Sequence, residues 1–292
     1  SCLGDGVGHL VFYIDGCSPG KPTRSDARKI EAVYWTILEY PSWFRSRICG
    51  WFGCIFELES QLKLADISQS SLVRFILRIF FAPEPGAWNF EETGVMLRIE
   101  DVAFNFKAQC GPFLADFEAV KFACSQMGAS GRSPCPYCRN IIGRCDYVED
   151  DYLVHMTSSE YGRFHEHGAA SFLEMVDTIE AARDGSNAIF AELQTNLGVK
   201  CDPLGLPWDK AMRKVMVLPD NIYTDWMHNM VASGGVGQYS LNRIVHELAN
   251  SDNWEADGAA ITPPDIDLWR SHTEVKGPMQ GFTKLNKAFF AE

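Results

Sequence analysis

Two aspartates stand where the chain leaves an apolar run. Asp15 follows the run 9–14 (HLVFYI) and precedes Gly16, and Asp116 follows Phe113-Leu114-Ala115. A carboxylate at the end of a buried strand lies at its edge and faces a cleft. Two of them on neighbouring strands can share divalent cations. Two-metal phosphoryl transfer needs a few carboxylates around ions about 3.5–4 Å apart. Mg²⁺ prefers oxygen ligands and keeps several waters, so few protein ligands suffice. Each aspartate also has a plainer use. Asp15-Gly16 is a turn signal, and Asp116 can cap the helix that follows it.

Cys135 and Cys138, flanked by Pro134 and Pro136, form a second candidate. Two thiolates at this spacing can share one tetrahedral Zn²⁺. This is half a site, since Cys145 stands alone and the remaining ligands must be distant in sequence, histidines among them. A redox pair would want a thioredoxin-like βαβ context, which is lacking, and two unligated core cysteines are the other alternative. A third element, Asp225-Trp226-Met227-His228-Asn229, can place a carboxylate and an imidazole on one face of a following helix. It can equally be a helix cap with a packed histidine. His165 and His167 flank Glu166, and residues two apart lie on different sides of a helix, so both read as surface residues. His246-Glu247 reads as a solvated helix face. No cysteine has a nucleophile context, there is no P-loop, and Gly234-Gly235-Val236-Gly237 follows a helix-like segment rather than a strand.

The elements that must hold these residues are strand-rich first. The runs 9–14, 32–38 and 48–58, separated by turn residues, predict an antiparallel meander. Leu72, Phe75, Ile76, Ile79 and Phe80 recur at helical spacing, and Pro83 and Pro85 end that helix. The segment 95–106 fits strand or helix. A short run ends at Asp116, and a helix follows over 117–126. Beyond residue 148 helices are expected over 158–166, 169–183, 186–197 and 239–249, with 201–221 as a connector. This order suits an α/β fold: an RNase H-like mixed sheet core over 1–130, then a zinc knuckle and an α-helical insertion over 131–292. Such a core sets carboxylates on neighbouring strands so that they converge on metal ions.

The chain has 292 residues, 46% of them hydrophobic and 22% charged, with 8 Trp, 9 Tyr and 19 Phe, which excludes a wholly disordered chain. No run of about 18 uncharged apolar residues exists, so no transmembrane helix is expected. The net charge of −12 argues against a stand-alone nucleic-acid-binding domain. It leaves room for a catalytic domain that handles DNA through metal ions. The 10 cysteines are irregularly spaced with no signal peptide before them, so a secreted disulfide scaffold is not expected. Both ends read as cuts, and the chain is expected to be a fragment of a longer protein.

The order of Asp15-Gly16, Phe113-Leu114-Ala115-Asp116, Gly131-Arg132-Ser133-Pro134-Cys135-Pro136-Tyr137-Cys138 and Asp225-x-x-His228-Asn229 resembles the catalytic region of DDE/D cut-and-paste DNA transposases. The nearest resemblance is to the CACTA (EnSpm-like) type. More distantly the plan is similar to the V(D)J recombinase catalytic subunit, whose second acid precedes a C-x-x-C by a distance like the 19 residues here. The resemblance implies Asp15 and Asp116 as first and second catalytic acids holding two Mg²⁺ or Mn²⁺ ions. It implies a structural zinc on Cys135 and Cys138, and positioning or DNA contact for Asp225 and His228. It further implies transposon-end DNA as partner, a homo-oligomeric active complex and a nuclear location. A third acid has no clear match: Glu247 and Glu292 are the candidates within the chain, and otherwise the acid lies beyond it. The competing expectations are an inactive, zinc-stabilised DNA- or protein-binding module derived from such an element, and a cysteine-dependent redox enzyme.

Overall fold

Alternation of apolar side chains builds the centre of the sheet. The computed structural model of the protein describes residues 7–17, 29–99, 101–143, 152–156, 158, 160–225, 273–275 and 282–285. The chain divides into two compact units, Ser1–Tyr223 and Thr224–Glu292. In the first, β1 (Val7–Cys17), β2 (Ile30–Ile37), the short helix α1 (Ser42–Arg45) and β3 (Phe52–Leu58) come first. The three strands pair antiparallel as expected. The apolar run 48–58 is broken at its start, where Ile48–Gly50 forms a 3-10 turn.

After α2 (Glu59–Leu64) comes α3 (Gln69–Phe81), begun by Ser68, whose side chain accepts from the Ser71 amide. It stops before Ala82-Pro83, because the residue ahead of a proline is pushed out of the helical region. Leu72, Val73, Ile76, Leu77, Phe80 and Phe81 are buried. Phe75 is instead 56% exposed, so the buried stripe is rotated away from the expected one. The partner surface decides this: Leu10, Phe12 and Ile14 on one face of β1 meet α3, with Phe12 edge-on to Phe80 at 5.3 Å. Burying each such side chain contributes about 1.5–3 kcal/mol relative to exposure.

The segment 95–106 resolves as strand. β4 (Val95–Ile99) forms a hairpin with the first part of β5 (Val102–Ala115). β5 then runs parallel to β1, giving the strand order β3-β2-β1-β5-β4. The helix α4 (Phe117–Ala123) follows directly.

Beyond it, β6 (Ile141–Ile142) and β7 (Val154–His155) pair as a two-residue parallel ladder. The helix expected over 158–166 does not form. Residues Tyr161–Arg163 make a 3-10 turn and Phe164 is extended. Backbone bonds to a distant loop replace the helical ones there, from Arg139 N to His165 O at 2.9 Å and from His167 N to Tyr137 O at 2.8 Å. The helices α5 (Ala169–Ala181) and α6 (Asn187–Leu197) form where expected. The connector contains a 3-10 turn at Leu206–Trp208, the short helix α7 (Met212–Val215) and β8 (Ile222–Thr224), which pairs with β5. In the second unit β9 (Thr273–Val275) and β10 (Phe282–Leu285) pair antiparallel. The fold class is therefore α/β with a mixed parallel and antiparallel sheet.

Candidate functional site

Register brings the two aspartates together, although β1 runs two residues past Asp15 to Cys17, so Asp15-Gly16 is paired strand and not a turn. Ile14 and Ala115 are partners across the parallel β1–β5 pair, so Asp15 and Asp116 stand one position further along adjacent strands. Ile14 and Ala115 are both buried in the core, and successive strand side chains alternate faces. Asp15 and Asp116 therefore belong to the opposite side of the sheet from that core, and both are half-buried.

A bulge sets this phase. Leu10 pairs with Cys110 and Phe12 with Phe113, so β5 holds one extra residue around Gly111-Pro112. Before the bulge Phe106 and Ala108 are buried, and after it Phe113 and Ala115 are. The even-numbered positions give way to odd ones, and Asp116 is turned out of the core. A Cβ on Gly111 would lie 3.0 Å from the Leu10 carbonyl oxygen, so the crossing favours a residue with none.

Asp116 also caps α4. Its Oδ1 accepts from the Ala119 amide at 2.6 Å. The capping use and a metal-binding use coexist on one carboxylate, since its two oxygens offer about four lone-pair sites.

Lys29 and Glu31, which the sequence did not single out, border this strand end. Glu31 pairs with Gly16 across β1–β2. A Cβ on Gly16 would lie 2.6 Å from Lys29 Cε, so the glycine makes room for the lysine stem. Lys29 Nζ lies 3.3 Å from Glu31 Oε1 and 3.6 Å from Glu59 Oε2. Burial alone would lower the Lys29 pKa, but Glu31, Glu59 and Glu118 outweigh it and hold the ammonium charged. The only local sign of Glu31 was an acid one residue ahead of a β-branched run.

The cysteine knuckle lies on a loop with many tertiary restraints. Gly198, at φ +71, ends α6, and a Cβ there would lie 2.0 Å from the Ser133 carbonyl oxygen. Arg132 N donates to Thr195 O at 2.8 Å. The buried Asn140 donates to the carbonyls of Tyr152 and Arg163 and accepts from the His165 amide, each at 2.8 Å. Cys138 forms an antiparallel bridge with Glu166. Burial pushes the Cys138 thiol up to about 12, helped by Cys135, which hydrogen-bonds it, and by Glu166. Such an electronegative pocket resists a bare thiolate and suits a cation that would offset the charge.

His165 is exposed, as its sequence context implied, whereas His167 is half-buried. Burial, and then Arg139, push its pKa down to about 4, and Nδ1 lies 3.1 Å from Ser171 Oγ. The antiparallel run beside the knuckle, rather than a helix, carries it inward. Among the described residues no three His, Cys, Asp or Glu side chains converge as one metal ion would require. Asp225 follows β8 and belongs to the second unit. His228, Glu247 and Glu292, together with the helix expected over 239–249, lie outside the described residues. No described helix is long and apolar enough to cross a membrane. No protein-family model matches the chain, and no curated protein matches it.

Proposed function

We propose that this chain is the catalytic region of a DDE/D-type DNA transposase with an RNase H-like core, working on transposon-end DNA in the nucleus. The observation that carries this reading is the register pair Ile14–Ala115, which sets Asp15, within β1, beside Asp116, just past the end of the parallel strand β5. Two carboxylates there are a hard oxygen donor set of the kind Mg²⁺ and Mn²⁺ favour. Bound divalent ions would supply activation of water or a 3′-hydroxyl and stabilisation of the leaving oxygen. The chain's own part is to hold the donors. The bulge at Gly111-Pro112 aims Asp116, α4 fixes one of its oxygens, and β1 presents Asp15. Cys135 and Cys138 provide two sulfur donors for a structural zinc.

The test is Mn²⁺-dependent nicking of supercoiled DNA. Asp15→Asn and Asp116→Asn should each abolish it. Asparagine still caps a helix, so Asp116→Asn keeps the α4 start while removing the charge. Nicking that survives both substitutions would refute the assignment. A second reading, a non-catalytic zinc-stabilised module descended from such an enzyme, is favoured by the acidic net charge of −12. It predicts no nicking by the native chain, with DNA or protein binding retained.

A further inference from the structure

The helix that follows Asp116 holds a cation beside the candidate metal site. In α4, Phe117 and Lys121 are one turn apart and lie on the same side of the helix. Lys121 Nζ sits over the Phe117 ring, 5.5 Å from its centroid. Phe117 is backed in turn by Tyr137 of the cysteine knuckle, with ring centroids 6.5 Å apart. The knuckle thus steadies the ring, and the ring steadies the ammonium. Phe117 is still 37% exposed and Lys121 is half-buried, so the pair reaches the surface directly after Asp116. Among the described residues Lys121 is held by the ring and not by a carboxylate. The positive charge continues along the chain. Nζ lies 3.5 Å from the place a Cβ would take on Gly128, the first residue of the 3-10 turn Gly128–Ser130. Arg132, four residues further, is exposed, and four residues span at most about 14 Å. Residues 119–143 contain Lys121, Arg132 and Arg139 and no acid, in a chain of net charge −12. Glu118 acts on Lys29, and Glu166 meets this stretch at Cys138.

We infer that Lys121 and Arg132 bind backbone phosphates of the DNA strand held at Asp15 and Asp116, so that the strand runs from the two acids along α4 and over the cysteine knuckle. The charges choose the occupant. DNA carries one negative charge per about 1.7 Å of helix axis, so cations spread over this span meet several phosphates. An acidic protein surface would be repelled by Asp15 and Asp116, whereas a phosphodiester reaches those acids through the ions they hold. Contacts of this kind fix the position of the duplex without reading its sequence. The knuckle thereby takes part in binding substrate, beyond the structural role of its zinc. The inference rests on the transposase reading for its substrate.

Fluorescence anisotropy of a labelled duplex oligonucleotide, titrated with the 292-residue chain without added divalent cation, tests it between about 0.05 and 0.2 M salt. The logarithm of the binding constant should fall linearly with the logarithm of salt concentration. Lys121→Gln and Arg132→Gln should each flatten that slope by about 0.9 and weaken binding about eightfold near 0.1 M salt. Lys121→Arg should keep the native slope. Arg98→Gln, on β4 opposite the start of β5 and so far from Asp116, should change neither slope nor affinity. A slope unchanged in both glutamine variants would overturn the inference, and so would a native chain that binds no DNA at the lowest salt. Nicking is measured separately. DNA bound through Lys121 and Arg132 with nicking indifferent to Asp15→Asn and Asp116→Asn would refute the catalytic assignment alone. Nicking that needs both aspartates with native slopes in both glutamine variants would refute this inference alone.

Discussion

Asp209 shows how one side chain can hold a connector to a helix, α3. It is nearly fully buried. Its Oδ2 accepts from Arg74 Nε and Arg78 Nε at 2.6 Å each, and its Oδ1 accepts from the amides of Ala211 and Met212 at 3.1 Å. Burial by itself would raise its pKa. The hydrogen bonds from Arg78, the Met212 amide and Arg74 outweigh burial and bring it down to about 2. A folded-state pKa below the unfolded value near 3.8 means a contribution to stability that is complete above that value. It is lost as pH falls from there through about 2. Asp209→Asn removes the carboxylate that Arg74 and Arg78 share, leaving Arg78 only Glu84, and should cost roughly 3 kcal/mol. Urea unfolding at pH 7 and at pH 2.5 checks this: the variant's deficit should shrink at the lower pH, and an equal deficit at both would refute the role. The buried thiols behave in the opposite sense. Burial, with small contributions from Glu91 and Cys135 respectively, pushes Cys110 and Cys124 up to about 12, so neither is a nucleophile at neutral pH.

Gly198 and the β5 bulge are the two backbone devices on which the candidate sites depend. The glycine lets α6 end in a left-handed residue and lets 131–133 pass against it without a Cβ between them. Gly198→Ala should therefore cost about 2 kcal/mol or more, combining the left-handed strain with a clash on the Ser133 carbonyl. The loss should be local first, seen as faster hydrogen exchange at the Arg132 amide that bonds Thr195. Unchanged exchange there would mean that the crossing does not restrain the knuckle. The bulge acts on the other site. It converts a strand whose core positions are even-numbered into one whose core positions are odd, and only then does Asp116 share a face with Asp15.

At the scale of the whole molecule, the knuckle is the part whose stability should depend on an added ion. Around Cys135 and Cys138 the restraints are hydrogen bonds from Asn140, a short bridge to Glu166 and the packing of Tyr137 on the core beside Phe117. Structural zinc contributes folding free energy outright. Purified protein should carry about one zinc per chain, and Cys138→Ser should lose it together with thermal stability. Zinc content unchanged by that substitution would remove these two cysteines from the metal site. A chelator should destabilise the native chain and leave Cys138→Ser unaffected.

Local pattern was enough for β1, β2, α3, α5 and α6, because alternation and helical spacing are properties of neighbouring residues. It placed Asp116 just past the end of β5, but β1 runs on through Asp15 and Gly16 to Cys17, because pairing with β2 overrides the local turn signal. What it left open depended on contacts between distant segments. Whether 95–106 was strand or helix turned on hairpin pairing, and which side of α3 was buried turned on the sheet beneath it. Residues 164–167 became extended because the loop at Tyr137 and Arg139 offered backbone partners, which no window of local sequence contains. Arg74 and Arg78, charged residues within the α3 sequence, are the two side-chain donors to Asp209, over 130 positions away. The residue types and their periodicity were thus determined by the sequence alone. Register, helix orientation and the pairing of the two acids were decided by tertiary structure, because only chain closure brings their partners within bonding distance.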